Sequence, residues 1–353
     1  INTCEECYHT QLSVVVDPDL MFKDYLYVSG TSKTLHQYFT NFVDLCEEYT
    51  KDKGKVLDIA CNDGTQLDKF KEKGWDTFGV DPAENLFPLS KINHTVKCDY
   101  WTPKVALSFE TKFNLITAQN VFAHVDDVHS FLKACSGCLT EGGYLIIQTS
   151  QADMILDNQF DTVYHEHLSF FSSLSMKTCA NKNGFSLVDV RKVEVHGGSY
   201  VFVLKLGHHN QALSQDQIDS ETRRGLYTPE TYAQYASNCR KVVEDFRSTV
   251  ERFRTDGYKI VGYGAAAKGN TFLNFAEIDL DYIVDDNDLK WNLLTPGRNI
   301  EIKNPQILKT ENKDKLVVVP LAWNFFKEIS NRANEITGTT LKFIKYFPEV
   351  EVI

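Results

Sequence analysis

The sequence predicts an α/β fold in two successive domains, and three observations carry that reading. At 353 residues the chain is about twice the usual domain length of ~150, enough for two cores. Strand-like and helix-like segments alternate between about residues 54 and 150, the mark of a parallel sheet with crossover helices. The alternation restarts at Lys259, after a helical stretch.

Residues 1–40 hold Cys4-Glu5-Glu6-Cys7 and an aromatic-rich segment from Phe22 to Ser32, and form a short N-terminal segment. Residues 41–207 make the first domain, with strands at 55–61, 76–81, 95–99, 114–119 and 144–149. A loop is expected at 164–167, where neither a helical nor an alternating apolar period holds. A short helix near 175–183 precedes two consecutive strands, 186–195 and 200–206, which implies an antiparallel pair at the sheet edge. Within 208–255, Tyr235, Cys239, Val242, Phe246, Val250 and Phe253 recur at three- and four-residue steps, describing one long amphipathic connector helix. Residues 256–353 form a second, smaller α/β domain, with strands at 260–263, 282–285, 316–320 and 341–346 and helices at 268–275 and 325–333.

Composition narrows the partners. With 37 basic against 48 acidic residues there is no basic stripe, which argues against nucleic acid or an anionic membrane. No apolar run approaches the ~20 residues of a membrane span. Ile1-Asn2-Thr3-Cys4 has no signal-peptide pattern. Nine scattered cysteines suit a reducing compartment, so a cytoplasmic location is expected; the oligomeric state, monomer or homodimer, is left open.

The chemistry starts at Val56 to Gly64, an apolar strand running into a turn of small residues, with a helical pattern from Thr65. Asp81-Pro82 ends the next strand, 23 residues after Asp58. Such a turn lets backbone approach a ligand at the strand C-termini, and the second acid can accept both ribose hydroxyls. The sequence has no G-x-G-x-x-G here, which disfavours a pyrophosphate and therefore NAD. A ligand with a ribose but no phosphate, S-adenosylmethionine, fits better. Its candidate contacts are Asp58, Ala60, Cys61, Asn62, Gly64, Asp81 and Pro82, with Asp99 and Tyr100 bordering adenine and Asn120 and Val121 meeting the methionine part.

In the second domain, Val261 to Thr271 is a strand, a turn of tiny residues and a helix start carrying Lys268 and Asn270. Backbone N–H groups at a helix N-terminus plus one lysine suit a phosphate or diphosphate. The P-loop spacing is absent, so nucleotide hydrolysis is not implied. Tyr263, Gly264, Lys268, Asn270, Thr271 and Asp286 are the candidate contacts. Between the two sites, Tyr164-His165-Glu166-His167 packs a phenol, a carboxylate and two imidazoles. An imidazole held by a carboxylate is the usual general base near neutral pH.

Taken together, these residues resemble the nucleotide-sugar C-methyltransferases that act on dTDP-linked keto-deoxysugars. The carriers are Tyr25-Leu26-Tyr27 with Ser29 and Ser32, the turn Asp58 to Gly64, Asn120 to Val125, Tyr164 to Ser169, His196 to Ser199, and Gly262 to Asn274, in the family's order over nearly the whole chain. The resemblance implies a class I S-adenosylmethionine methyltransferase domain with a Rossmann-like sheet, a C-terminal Rossmann-like domain holding the nucleotide, and a zinc-binding type of N-terminal segment. It implies His167 as general base, with Tyr164, Glu166, His124 and Tyr27 around the sugar, and Tyr25, Ser29, Ser32, His196 and Ser199 among its contacts. The family's zinc site uses two C-x2-C pairs. Only Cys4 and Cys7 are present here, so zinc is expected only if the native chain extends upstream. The family usually shows an arginine near His196 to Ser199; Tyr200-Val201 follow here, which leaves the sugar's identity open.

The expected reaction is removal of a proton α to a ring ketone, at C3 of a 4-keto sugar, followed by attack of the enolate on the methyl group. O- or N-methylation of a similar sugar is the first rival. A metallohydrolase using His124, His165, His167 and Glu166 is a second, and a non-catalytic nucleotide-sugar binder a third.

Overall fold

The computed structural model describes all 353 residues except Leu26, Ser32, Lys51, Ser150, Gln151 and Ala152, and leaves aside the side chains of Thr31, Lys33, Thr34 and His196. The chain divides into two compact units, residues 1–152 with 165–225 and residues 153–164 with 226–353.

The first unit is built on a seven-stranded sheet: β1 (Lys55–Ile59), β2 (Asp76–Asp81), β3 (Thr95–Cys98), β4 (Phe113–Gln119), β5 (Leu139–Thr149), β6 (Phe185–Val193) and β7 (Ser199–Leu206). Its order is β3-β2-β1-β4-β5-β7-β6. The five strands from β3 to β5 are parallel, and β7 pairs antiparallel with both β5 and β6. The consecutive pair β6–β7 therefore forms the antiparallel edge that two uninterrupted strand patterns imply.

Both faces of this sheet are covered, and the side-chain alternation shows it. Leu57, Ile59, Ile116, Ala118, Phe202 and Leu204 enter one core. Val56, Leu115, Ile146, Val201 and Val203 enter the other, under α1 (Lys33–Tyr49). Strands buried on both sides read as continuous apolar runs, which is why these segments were legible as strands. The order reverses between β1 and β4, where ligands of such sheets bind. The turn from β1 into α2 (Thr65–Glu72) lies there. Helices α3 (Val128–Cys138) and α4 (Ser173–Lys182) complete the crossovers, and residues 164–167 are turn and irregular backbone.

Two features depart from the sequence expectation. Residues 208–255 form two helices, α5 (Ala212–Arg223) and α6 (Pro229–Thr255). Gly225 at φ 80°, the Thr228 hydroxyl accepting from Thr231 N–H, and Pro229 at the first helical position break them apart. The six periodic residues all lie on α6 and all are buried. Among the described residues the N-terminal segment brings no metal-binding cluster of three or more His, Cys, Asp or Glu together. Strands Asn2–Thr3, Thr10–Gln11 and Ser169–Phe170 instead form a small antiparallel sheet.

The second unit has a six-stranded sheet from β8 (Lys259–Tyr263), β9 (Tyr282–Val284), β10 (Ile302–Lys303), β11 (Leu316–Pro320), β12 (Lys342–Lys345) and β13 (Glu351–Val352), in the order β10-β9-β8-β11-β12-β13. All pairs are parallel except β12–β13. Helices α7 (Ala267–Ala276) and α8 (Phe326–Thr337) follow β8 and β11. The order reverses between β8 and β11, next to the Gly264 turn.

Candidate active site

At the end of β1 the chain bends through Ala60 and Asn62, both at positive φ (61° and 51°), to Gly64 at 89°. The Asn62 N–H donates to Asp81 Oδ2 at 2.8 Å and the Ala83 N–H to Oδ1 at 2.8 Å. Each Asp81 oxygen keeps a lone pair, so the carboxylate is fixed but not exhausted. Burial pushes its pKa up, and the two N–H groups oppose that.

Asp58 does something else. It is buried within the sheet and accepts from the Thr117 hydroxyl at 2.7 Å, with its pKa pushed up to about 7 by desolvation. Cys61 also faces inward, beneath the turn, against Gly79. Asp99 caps the Tyr100 N–H at 2.8 Å beside the Asp81 strand end.

At the ends of β4 and β5, Asn120 Oδ1, Gln119 Oε1, Gln148 Oε1 and Thr149 Oγ1 are buried with no hydrogen-bond partner among the described residues. Buried polar atoms without partners cost free energy, so unpartnered acceptors at these strand ends, where ligands of such sheets bind, suit a donor-bearing ligand such as an amino-acid ammonium. With Asp81 for the ribose, the residue set fits S-adenosylmethionine. Sequence reasoning missed Gln148 and Thr149 because apolar neighbours hide them in the β5 run.

Of the proton-active residues, His124, His165, Glu166 and His167 lie on the same unit. The His124 ring, on the turn Phe122–His124 after β4, lies 5.2 Å from the buried His167 ring. Phe22 stacks on the His124 ring at 5.7 Å, a partner hidden in the aromatic N-terminal segment. Desolvation pulls the His124 pKa down to about 4, so it is neutral at pH 7. Burial raises the Glu166 carboxyl and the exposed His165 lowers it. The Tyr25 phenol is raised by burial first, then by the charges of Glu166, Tyr27 and Asp81. Tyr27, half exposed, has its ring 6.5 Å from that of Tyr25. Tyr164 belongs to the second unit.

Other sequence candidates have structural employment. Ser199 is buried; its hydroxyl donates to Val195 O at 2.9 Å and accepts from Gln148 Nε2 at 2.7 Å. Ser29 meets the cofactor turn through its backbone N–H. Ser32, Leu26 and the His196 side chain lie outside the described residues. Pro82 and Val121 are half-buried at their strand ends. Cys4 and Cys7 are free thiols, and no group of three or more His, Cys, Asp or Glu among the described residues is placed to hold a metal ion. Two thiols do not close a tetrahedral zinc site.

In the second unit, Gly264 turns the chain at φ 91°, and α7 starts at Ala266 without a side-chain cap. Asp285 organises this turn: its Oδ2 accepts the Ala265 N–H at 2.7 Å and Lys290 Nζ at 3.1 Å, and its Oδ1 the Asn287 N–H at 2.9 Å. The Tyr263 hydroxyl donates to Asp286 at 2.9 Å. Asn270 Oδ1 is buried with no partner among the described residues. The Thr271 hydroxyl bonds back to Ala267 O within the helix. Lys268 Nζ sits 5.1 Å over the Trp323 ring, its pKa lowered by burial and sustained by the charge of Asp161. Asp161 is fully buried and accepts from Trp323 Nε1 at 2.6 Å. Sequence reasoning found Lys268 but not Asp161 or Trp323, which lie far from it in the chain.

The chain is similar to known proteins. Residues 32–190 match the methyltransferase domain family, and residues 194–348 the C-methyltransferase C-terminal domain family. C-methyltransferase NovU of Streptomyces niveus is 29% identical over 99% of this chain and 86% of its own length. A ubiquinone biosynthesis O-methyltransferase of Coxiella burnetii is 23% identical over 49% of this chain and 82% of its own. An S-adenosylmethionine-dependent methyltransferase from Clostridium acetobutylicum aligns with 49% of this chain and 92% of its own, at 15% identity and a TM-score of 0.40. The sheet, the turn and the first match make the chain a class I S-adenosylmethionine-dependent methyltransferase. Its C-terminal part is similar to the C-methyltransferase C-terminal domain, and the whole chain is similar to one C-methyltransferase almost end to end. No helix among the described residues is long and apolar enough to cross a membrane.

Proposed function

We propose that the protein methylates a ring carbon of a nucleotide-linked keto-deoxysugar, the carbon being α to the ketone: C3 of a 4-keto sugar carried on dTDP. The observation that supports this most is the pairing of buried His167 with a neutral His124 on the unit that holds the cofactor turn. Carbon methylation needs a base, because a sugar C–H is no nucleophile until its proton is gone. O-methylation needs no carbanion.

His167 takes the α-proton, and the electron pair of the C–H bond moves into the enolate. Because His124 stays uncharged, His167 gains its proton without a second cation 5.2 Å away. His124 and Tyr27 donate to the enolate oxygen, and such donors aimed at developing charge lower the barrier. Glu166 orients the base or holds a sugar hydroxyl. Bound S-adenosylmethionine supplies an electrophilic methyl, which the enolate carbon takes as the sulfur keeps the electron pair. The second unit holds the nucleotide, its diphosphate at the uncapped start of α7 and Lys268.

The test is exchange without methyl transfer. In deuterated water, with keto-sugar nucleotide and S-adenosylhomocysteine, the wild type should wash out the α-proton. His167→Asn should lose exchange and methylation together, by ~10²–10⁴-fold or more. Methylation near the wild-type rate in His167→Asn would reject this base.

A further inference from the structure

The side chains of Asn62 and Asp63, in the cofactor turn, face the N-terminal segment. Asn62 Oδ1 accepts the Ser29 N–H at 3.0 Å, and its Nδ2 donates to the Tyr27 carbonyl at 2.9 Å. Asp63 Oδ2 accepts the Gly30 N–H at 2.9 Å, and His36 Nε2 lies 2.9 Å from the Gly30 carbonyl oxygen. On the other side of Asp81, Asn85 Oδ1 accepts the Tyr25 N–H at 3.1 Å and its Nδ2 donates to Tyr25 O at 3.0 Å. Residues 27–30 are thus held by their main-chain groups, as a strand would be, except that an amide and a carboxylate stand in for the neighbouring strand.

Both anchors flank the ribose-binding position: residues 62 and 63 follow β1, and residue 85 follows β2. The left-handed φ of 51° at Asn62, a conformation asparagine tolerates, belongs to the same turn. The bonds are exposed or only partly buried, so they are modest in strength and open reversibly.

We propose that Asn62 and Asp63 form a latch that holds residues 27–30 across the mouth of the cofactor site. S-adenosylmethionine enters and S-adenosylhomocysteine leaves when those bonds open, and Tyr27 reaches the sugar site only when they are closed. Neither residue touches the reacting atoms; both are positioning residues. The proposal rests on the cofactor site at the Asp58 to Gly64 turn.

Amide hydrogen exchange of the ligand-free protein, read on peptides covering residues 27–30, tests the latch together with the dissociation rate of S-adenosylhomocysteine. Wild-type exchange there should be slow and should slow further with saturating S-adenosylhomocysteine. Asn62→Ala and Asp63→Ala should exchange faster without ligand and release it about tenfold faster, as expected for one or two lost hydrogen bonds. Gly30→Ala attacks the latch from the other side, because a Cβ there would lie 2.6 Å from Asp63 Oδ2 and from Thr65 Oγ1. It should reproduce both effects with the turn's own residues intact. Weaker binding in Asn62→Ala with wild-type exchange at 27–30, or wild-type behaviour in Gly30→Ala, would overturn the latch. A wild type that fails to bind S-adenosylhomocysteine at all would remove the cofactor assignment itself, and the latch with it.

Discussion

Two carboxylates flank the cofactor turn, and burial sets them different tasks. Asp81 keeps lone pairs for a ligand, so Asp81→Ala should weaken S-adenosylmethionine binding about tenfold or more, read by calorimetry. Asp58 is closed in with Thr117, and its folded pKa of about 7 lies above the ordinary 3.8. The folded state then holds a proton that the unfolded chain releases. The stability this contributes is full below about pH 4 and is lost as pH rises through about 7. Asp58→Asn keeps an acceptor for Thr117 without the charge. Its thermal midpoint relative to wild type should rise between about pH 4 and 7, and a gap independent of pH would contradict the buried charge. Comparing the two proteins removes His9 and His124, whose lowered values act in the opposite sense. The position of Asp81 at a strand end was legible from sequence. The inward turn of Asp58 was not, because a strand buried on both faces has no polar side to orient it.

Close packing of elements sets the turn's position. A Cβ at Gly79 would stand 2.6 Å from Cys61 Sγ and 3.0 Å from Leu67 Cδ1. Gly79→Ala should therefore cost ~1–3 kcal/mol of stability in denaturant titrations and loosen cofactor binding through Cys61. Gly137, on α3, has nothing within 4 Å of its added Cβ, so Gly137→Ala should be neutral or mildly stabilising. Equal effects of the two changes would contradict the packing argument. The longer strands of both sheets were legible because of their apolar runs, whereas the two-residue strands β10 and β13 were not. The break before α6 was also written in the chain, as a threonine cap followed by proline, but the strong period of residues 235–253 masked it. The small N-terminal sheet was not legible, since strands of two residues have no period.

At the scale of the molecule, each of the two units reverses its strand order beside a glycine-bearing turn, and this duplication was plain in the sequence as a restarted alternation. Less was legible about chain assignment: residues 153–164, including Asp161 and Tyr164, pack with the second unit although they lie between segments of the first. No local pattern announces such an excursion. If the units divide the ligands, Lys268→Ala should raise the nucleotide-sugar dissociation constant about tenfold and leave S-adenosylmethionine affinity unchanged. A fall in cofactor affinity instead would break that division. The measurement that bears most directly on the account is the position of the transferred methyl. With a methyl donor labelled at the methyl carbon and a dTDP-linked 4-keto-deoxysugar as acceptor, product NMR should show the label bonded to the ring carbon α to the ketone, with the hydroxyls unmodified. A label found on oxygen or nitrogen would contradict the enolate chemistry assigned to His167 and with it the central claim.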